Sequence, residues 1–265
     1  MIHASESHPL RVIVYTDSAG IGGAEISLGH LVATASPEIQ ITVIGVSSLV
    51  VDAIADRRAQ TDRVVLSPNG IQSFFQHRST FQRCHPHIIH CNLCTPWAGA
   101  IGLAAALSLP DVRVLRVDQL PLRTTDTFTL LRTRTLSLRV DAHVAVGETS
   151  ARRMEDFYAL GRNSVISIPN GVPDMGFVEP SQHSGKEMIV GSIGRLDAMK
   201  AHDVLLQAAA QVEGVRVVIL GEGTERKNLE QLAIDLGIAD RVELRGWVDK
   251  PAEHLPQFDV LAMPS

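Results

Sequence analysis

The chain has 265 residues, of which 45% are hydrophobic and 20% charged, a length that suggests about two domains of roughly 100–150 residues each. Its 24 basic and 29 acidic residues leave a formal net charge of −5 with no basic block, which argues against general nucleic-acid binding. The polar start MIHASESHPL lacks the layout of a signal peptide and no apolar run is long enough to cross a bilayer. The three cysteines, an odd number, point to reduced thiols in a cytoplasmic setting.

Short Val- and Ile-rich runs alternate with segments of helical period. "RVIVYT" (11–16) predicts a first strand, and a helix follows from Ala24 in "AEISLGHLVATA". Further strands are expected at "QITVIGV" (40–46), "RVVLS" (63–67), "HIIHC" (87–91), "VRVLRV" (112–117), "AHVAV" (142–146) and "VISIP" (165–169), with a helix from Glu148 in "ETSARRMEDFYAL". Nearly continuous apolar strands separated by helices predict a parallel sheet covered on both faces. The polar stretch "EPSQHSGKE" (179–187) predicts a linker between a first domain, 1–178, and a second, 188–265. Beyond it the pattern restarts with "MIVGSIG", "VRVVILGEG", "RVELRGWV" and "DVLAMPS". Between them "TERKNLEQLAIDLG" predicts a helix with a Thr224 cap, Leu229, Leu232, Ala233 and Leu236 on one face, and a Gly237 stop. The fold class expected is α/β, with two doubly wound Rossmann-like units in tandem. "DVLAMPS" is expected beside "MIVGSIG" in a sheet ordered 3-2-1-4.

Open α/β sheets bind ligands in loops at the carboxyl ends of their strands. After the first strand, "TDSAGIGGAE" places Gly20, Gly22 and Gly23 where a tight turn brings backbone N–H groups to an anion at a helix start. A dinucleotide fingerprint would need a third glycine at the position of Glu25, and the second strand ends in Ser47 and Ser48 with no acid for a ribose, so a nicotinamide enzyme is disfavoured. In "GSIGRLDAMKAHDVLL" (191–206) the loop carries Arg195 and Lys200, one of only four lysines in the chain. Arginine offers phosphate oxygens a planar fork and lysine a compact point charge.

The order of "GIGGAE", "IPNGV" (168–172), "GRLDAMKAHDVLL" (194–206), "LGEG" (220–223) and "LRGWV" (244–248) resembles family 4 glycosyltransferases, retaining enzymes with the two-Rossmann GT-B fold. That resemblance implies transfer of a sugar from a nucleotide-sugar donor, held against the second domain, to a sugar, lipid-linked or small-molecule acceptor held against the first. The nucleotide sugar is a co-substrate, and no cofactor or metal is expected. Sugar transfer develops negative charge on the departing phosphate, which fixed cations and helix N-termini stabilise. The family's role for the Arg and Lys of this loop falls on Arg195 and Lys200, with Gly22 and Gly23 as donor-phosphate contacts. Glu222 and Gly223 would lie beside the donor, and Gly246 and Trp247 would flank its base, a tryptophan being equally at home in a core. His90 and Asn92 are acceptor-side candidates. Asn170-Gly171 reads first as an ordinary turn.

Two departures from the family accompany the resemblance. Where many members carry a histidine facing the reacting sugar, this chain carries Asp118, a candidate to bind a hydroxyl or take the acceptor proton and equally a strand-end acid. The family's E-x(7)-E segment would follow "DVLAMPS", but the sequence stops at Ser265. The second domain is therefore expected to be incomplete, with Val260, Leu261, Ala262 and Met263 on an apolar edge, and the alternative to a transferase is a noncatalytic fragment that retains only part of the donor site.

"CHPHIIHCNLC" offers Cys84, His85, His87, His90, Cys91 and Cys94 as zinc-ligand types, but strand alternation separates their faces and no second CxxC follows. "LRTRTLSLR" bears Arg132, Arg134 and Arg139, with Arg123 upstream. It reads as a solvated face or as a contact with an anionic membrane, where lipid-linked acceptors reside.

Overall fold

A computed structural model describes residues 9–67, 70–174, 176 and 187–265. The chain divides into two compact units, Met1–Pro173 and Asp174–Ser265. Of the expected linker, residues 179–186 lie outside the described ones.

In the first unit the elements run β1 (Leu10–Thr16), α1 (Gly23–Thr34), β2 (Ile39–Gly45), α2 (Ser48–Ala55), β3 (Asp62–Val65), α3 (Ile71–Arg83) and β4 (Ile88–Leu93). They continue with α4 (Ala100–Leu107), β5 (Arg113–Asp118), α5 (Thr127–Ser137), β6 (Ala142–Ala145), α6 (Glu148–Tyr158) and β7 (Val165–Ser167). The seven strands form one parallel sheet in the order β3-β2-β1-β4-β5-β6-β7. The reversal of direction lies between β1 and β4, the switch point at which a doubly wound sheet opens a crevice.

Strand alternation builds a core on each face. Val14, Ile41 and Val43 face α1 and α2, whose Leu28, Val32, Val51 and Ile54 cover them. Ile13, Tyr15, Ile89, Cys91 and Val114 point the other way, against Phe81 of α3 and Leu103 of α4. Right-handed crossovers put α3 to α6 in a row on this second face, because the chain moves in one direction from β4 to β7. His90 and Cys91 therefore sit on opposite sides of the sheet, one beside Val14 in register and one in the core.

The second unit runs β8 (Met188–Ile193), α7 (His202–Ala209), β9 (Val215–Leu220), α8 (Arg226–Asp235), β10 (Val242–Gly246) and β11 (Val260–Leu261). Its parallel sheet is ordered β10-β9-β8-β11, the expected 3-2-1-4 pattern. Leu196, Leu206, Val217, Ile219, Leu229 and Ala233 form its core. Helix α8 ends at Gly237, whose φ of 69° suits a residue without a side chain. Its start differs from the sequence expectation: Glu225, not Thr224, occupies the N-cap, in helical conformation and with no side-chain cap. On the outer strand, Val260 and Leu261 are both 45% exposed. Among the described residues, no helix is long and apolar enough to cross a membrane.

Candidate functional site

In the second unit, Arg195 and Lys200 lie in the loop from β8 to α7, which contains a short 3-10 turn at Ala198–Lys200. Leu196, fully buried, anchors this loop in the core beside Arg195. The loop is tied to the one that follows β9: Leu196 N–H donates to the Glu222 carbonyl at 2.9 Å and Glu225 N–H to the Leu196 carbonyl at 3.0 Å. The close approach of the two loops needs glycine at two positions. A Cβ on Gly223 would stand 2.2 Å from the Leu196 carbonyl oxygen, and one on Gly221 would stand 1.9 Å from that of Gly194. Gly223, expected beside the donor, makes room here for the neighbouring backbone.

Arg195 is 71% exposed in its side chain, and its Nε donates to Asp197 Oδ2 at 2.6 Å. Burial pushes the Asp197 carboxyl up, but the Arg195 guanidinium and the N–H groups of Lys200 and Met199 outweigh it and hold the pKa below the usual range. Lys200 has no side-chain partner among the described residues. Behind the loop, His202 is buried, 3.4 Å from Ser192 Oγ. Burial lowers its pKa against the raising effect of the Arg195 and Gly194 backbone, so the imidazole is neutral at pH 7 and leaves the loop's cationic character to Arg195 and Lys200.

Three of the remaining donor-side candidates are committed elsewhere or open to solvent. Glu222 is paired with Arg226 at 2.8 Å and packs where a Cβ on Gly246 would fall. Gly246, with φ of 83°, accepts the Gly221 N–H at its carbonyl, 2.8 Å away. Trp247 is 64% exposed rather than part of a core, with Nε1 donating to Asp249 Oδ1 at 3.2 Å.

In the first unit, the Gly22 N–H is not open to a phosphate. It donates to Glu25 Oε2 at 2.8 Å, and Glu25, 5% exposed, fills the anion position at the start of α1 with the helix's own carboxylate. Gly23 has nothing within 4 Å of a Cβ position, so internal packing does not require glycine there. Nearby, the Asp17 carboxylate accepts the Gly99 N–H, and burial raises its pKa.

Asp118 also stands corrected. It lies on the α3–α6 side of the sheet, fully buried, in a bidentate pair with fully buried Arg116: Nε to Oδ2 at 2.8 Å and Nη2 to Oδ1 at 3.1 Å. Tyr158 donates its hydroxyl to Asp118 Oδ1 at 3.0 Å. Arg116 further donates to the Pro96 carbonyl, Ser137 Oγ and Tyr158 Oη. Both carboxylate oxygens are thus engaged inside the core, by the Arg116 guanidinium and the Tyr158 hydroxyl, so Asp118 is a structural acid.

The residue that does face the open side of β5 is the next one, Gln119. Its Nε2 donates to Asn92 Oδ1 and its Oε1 accepts from Asn170 Nδ2, both at 2.9 Å. These side chains, with His90, are among those that line a cavity of about 540 Å³ within this unit. Leu28, Leu31, Leu115, Val117, Val144 and Ile168 form much of the rest. His90 and Asn92, the acceptor-side candidates, thus line one cavity. Gln119 was missed, although two-residue alternation from Val117 places it on the cavity side. Asn170, read first as a turn residue, joins the same hydrogen-bonded row. The basic segment is only partly free: Arg134 Nε donates to the Phe157 carbonyl at 2.8 Å.

Residues 177–265 match the family model described as Glycosyl transferases group 1. The chain is 42% identical over 77 residues to the lipopolysaccharide core biosynthesis glycosyltransferase LpsE of Rhizobium meliloti (strain 1021), a stretch covering 29% of this chain and 23% of that protein. It is 29% identical over 146 residues to the D-inositol 3-phosphate glycosyltransferase of Segniliparus rotundus, covering 47% of this chain and 32% of the relative. The chain therefore spans less than a third of the length of either curated relative. Among solved structures, Anabaena HepE in complex with UDP is similar over 97% of this chain and 74% of its own, with a TM-score of 0.79 and 19% identity. That likeness is one of fold: the chain has the α/β, two-Rossmann-unit architecture of the GT-B class.

Proposed function

We propose, from the match of residues 177–265 to the glycosyl transferase model, that the protein is a glycosyltransferase of the retaining, family 4 type. Its donor is a nucleotide sugar serving as co-substrate, and its acceptor is a glycan, a lipid-linked sugar or a small molecule. The observation that carries this reading is the locked pair of loops after β8 and β9. Backbone hydrogen bonds through Leu196 fix the loop that carries Arg195, and the Lys200 ammonium has no competing partner among the described residues. Preorganised cations of this kind stabilise a departing diphosphate without reorganising as its charge develops. Arg195 must share its guanidinium between Asp197 and the phosphate, which its fork of five donors permits. Trp247, exposed beside the Gly246 turn, is the candidate to stack on the base.

Asp118 has no part in the chemistry. The acceptor is assigned to the first unit through His90, Asn92 and Gln119. Exposed Phe128, Leu131 and Leu138 on and just after α5, with exposed Arg123 and Arg139 nearby in sequence, support peripheral contact with an anionic membrane from the cytoplasmic side. Titration calorimetry with UDP and GDP tests the donor assignment. Each charge-assisted contact contributes about 1.5–3 kcal/mol, so Arg195→Ala with Lys200→Ala should weaken binding about a hundredfold or more. Equal affinity in the wild type and the double variant would overturn the assignment.

A further inference from the structure

The cavity of the first unit is lined by apolar residues of the sheet and of α1 together with the polar side chains of Ser27, His30, Thr34, His90, Asn92, Gln119 and Asn170, and two of its buried polar atoms have no partner. His90 is 9% exposed and Asn92 2%, yet His90 Nε2 and Asn92 Nδ2 have no hydrogen-bond partner in the structure. A buried polar atom without a partner costs about 1–3 kcal/mol, so two of them side by side indicate a place where another molecule's polar groups belong. In register, His90 lies beside Leu115 and Asn92 beside Val117, which in turn adjoins Val144. The unpartnered groups thus face the same space as an apolar strip on the sheet.

Charge decides what kind of molecule this is. Among the described residues that line the cavity there is no lysine, arginine, aspartate or glutamate. Burial pushes His90 down to about 4, so its ring is neutral at pH 7 and exchanges hydrogen bonds rather than ion pairs. Arg57 donates to the ring of His30 at 3.2 Å but does not itself line the cavity. A phosphate or carboxylate placed here would lose its hydration with no cation to replace it. A neutral hydroxylated group would satisfy His90 and Asn92, and an apolar group joined to it would cover Leu115, Val117 and Val144.

We infer that this cavity binds an uncharged amphiphile, with hydroxyls at His90 and Asn92 and an apolar portion along the β5–β6 strip. On the glycosyltransferase reading, on which this assignment of role rests, the molecule is the acceptor, and any phosphate it carries stays outside the cavity.

Monomeric octyl β-D-glucopyranoside, below its micellar concentration, serves as the probe on the full chain, with D-glucose and glucose 1-phosphate as comparisons. The expected result is binding of the octyl glucoside detected by saturation-transfer NMR, with neither comparison binding in the same range. Asn92→Leu, similar in size, should weaken it about tenfold, the equivalent of one lost hydrogen bond. Val144→Phe should abolish it by filling the floor while leaving the near-UV circular dichroism intact. Glucose 1-phosphate binding as tightly as the octyl glucoside, affinity unchanged in both variants, or no binding to the folded chain would each overturn the inference. UDP titrated into the same samples keeps the two readings apart. Octyl glucoside bound without UDP would refute the enzyme reading alone, and UDP bound without octyl glucoside would refute the acceptor class alone.

Discussion

Replacing Asp118 with alanine separates a structural acid from a catalytic one. In the folded chain Asp118 and Arg116 have no exposed side-chain surface, and the carboxylate takes two hydrogen bonds from the guanidinium and one from Tyr158. The guanidinium also lies 4.4 Å from the centre of the Tyr158 ring. Burial disfavours the charge on Arg116, and the Asp118 carboxylate more than restores it, keeping the group firmly protonated. Asp118→Ala therefore strands a cation in the core, a change that costs about 3–5 kcal/mol. Against the 5–15 kcal/mol typical of a domain, that is a large part of the first unit's stability. The two tryptophans, Trp97 and Trp247, lie in different units, so Trp97 fluorescence in a Trp247→Phe background follows urea unfolding of the first unit alone. The Asp118→Ala midpoint should drop sharply while amide exchange in β8 and β9 is unchanged. Arg116→Met with Asp118→Leu should recover most of the loss, since no lone charge remains. A stability change under about 1 kcal/mol, with activity lost, would refute the structural role and return Asp118 to catalysis.

Two further outcomes follow from the first unit. Burial depresses His90 from an ordinary value near 6.5 to about 4, so the unfolded chain takes up its proton first as the pH falls. The neutral ring's contribution is complete above about pH 6.5 and lost progressively toward pH 4, amounting to about 3 kcal/mol. Urea midpoints should show this loss in the wild type and a shallower one in His90→Gln; superimposable pH profiles would contradict it. If the α5 face meets a membrane, Phe128→Ser with Leu131→Ser should reduce co-sedimentation with phosphatidylglycerol vesicles several-fold, and undiminished co-sedimentation would exclude that face.

The alternation of apolar strands and helices made the parallel sheets legible, and the 3-2-1-4 order followed from right-handed crossovers alone. The place of Arg195 and Lys200 in the loop after β8 was legible because an apolar strand and an amphipathic helix bracket it, whereas their role as phosphate contacts came from the resemblance and is a proposal. What stayed hidden was which side of a strand each polar residue faces. Arg116 and Asp118, two apart, share a side and pair in the core, whereas Gln119 turns to the cavity. Strand parity carries that information, but motif position pointed to Asp118. The glycines misled for a different reason. Gly223 serves a backbone contact with Leu196, more than 20 residues earlier, and Gly22 is capped by Glu25, three residues later. Nothing in a glycine's identity says whether a ligand or the chain itself approaches it.

Hydrogen exchange of the full chain with and without saturating UDP tests most directly whether the loops after β8 and β9 clasp a nucleoside diphosphate. Protection should rise in residues 194–201 and 221–226, and the rise should vanish in the Arg195→Ala, Lys200→Ala chain at the same UDP concentration. Protection confined to the first unit, or exchange in these two loops unaffected by bound UDP, would contradict the assignment of the donor site.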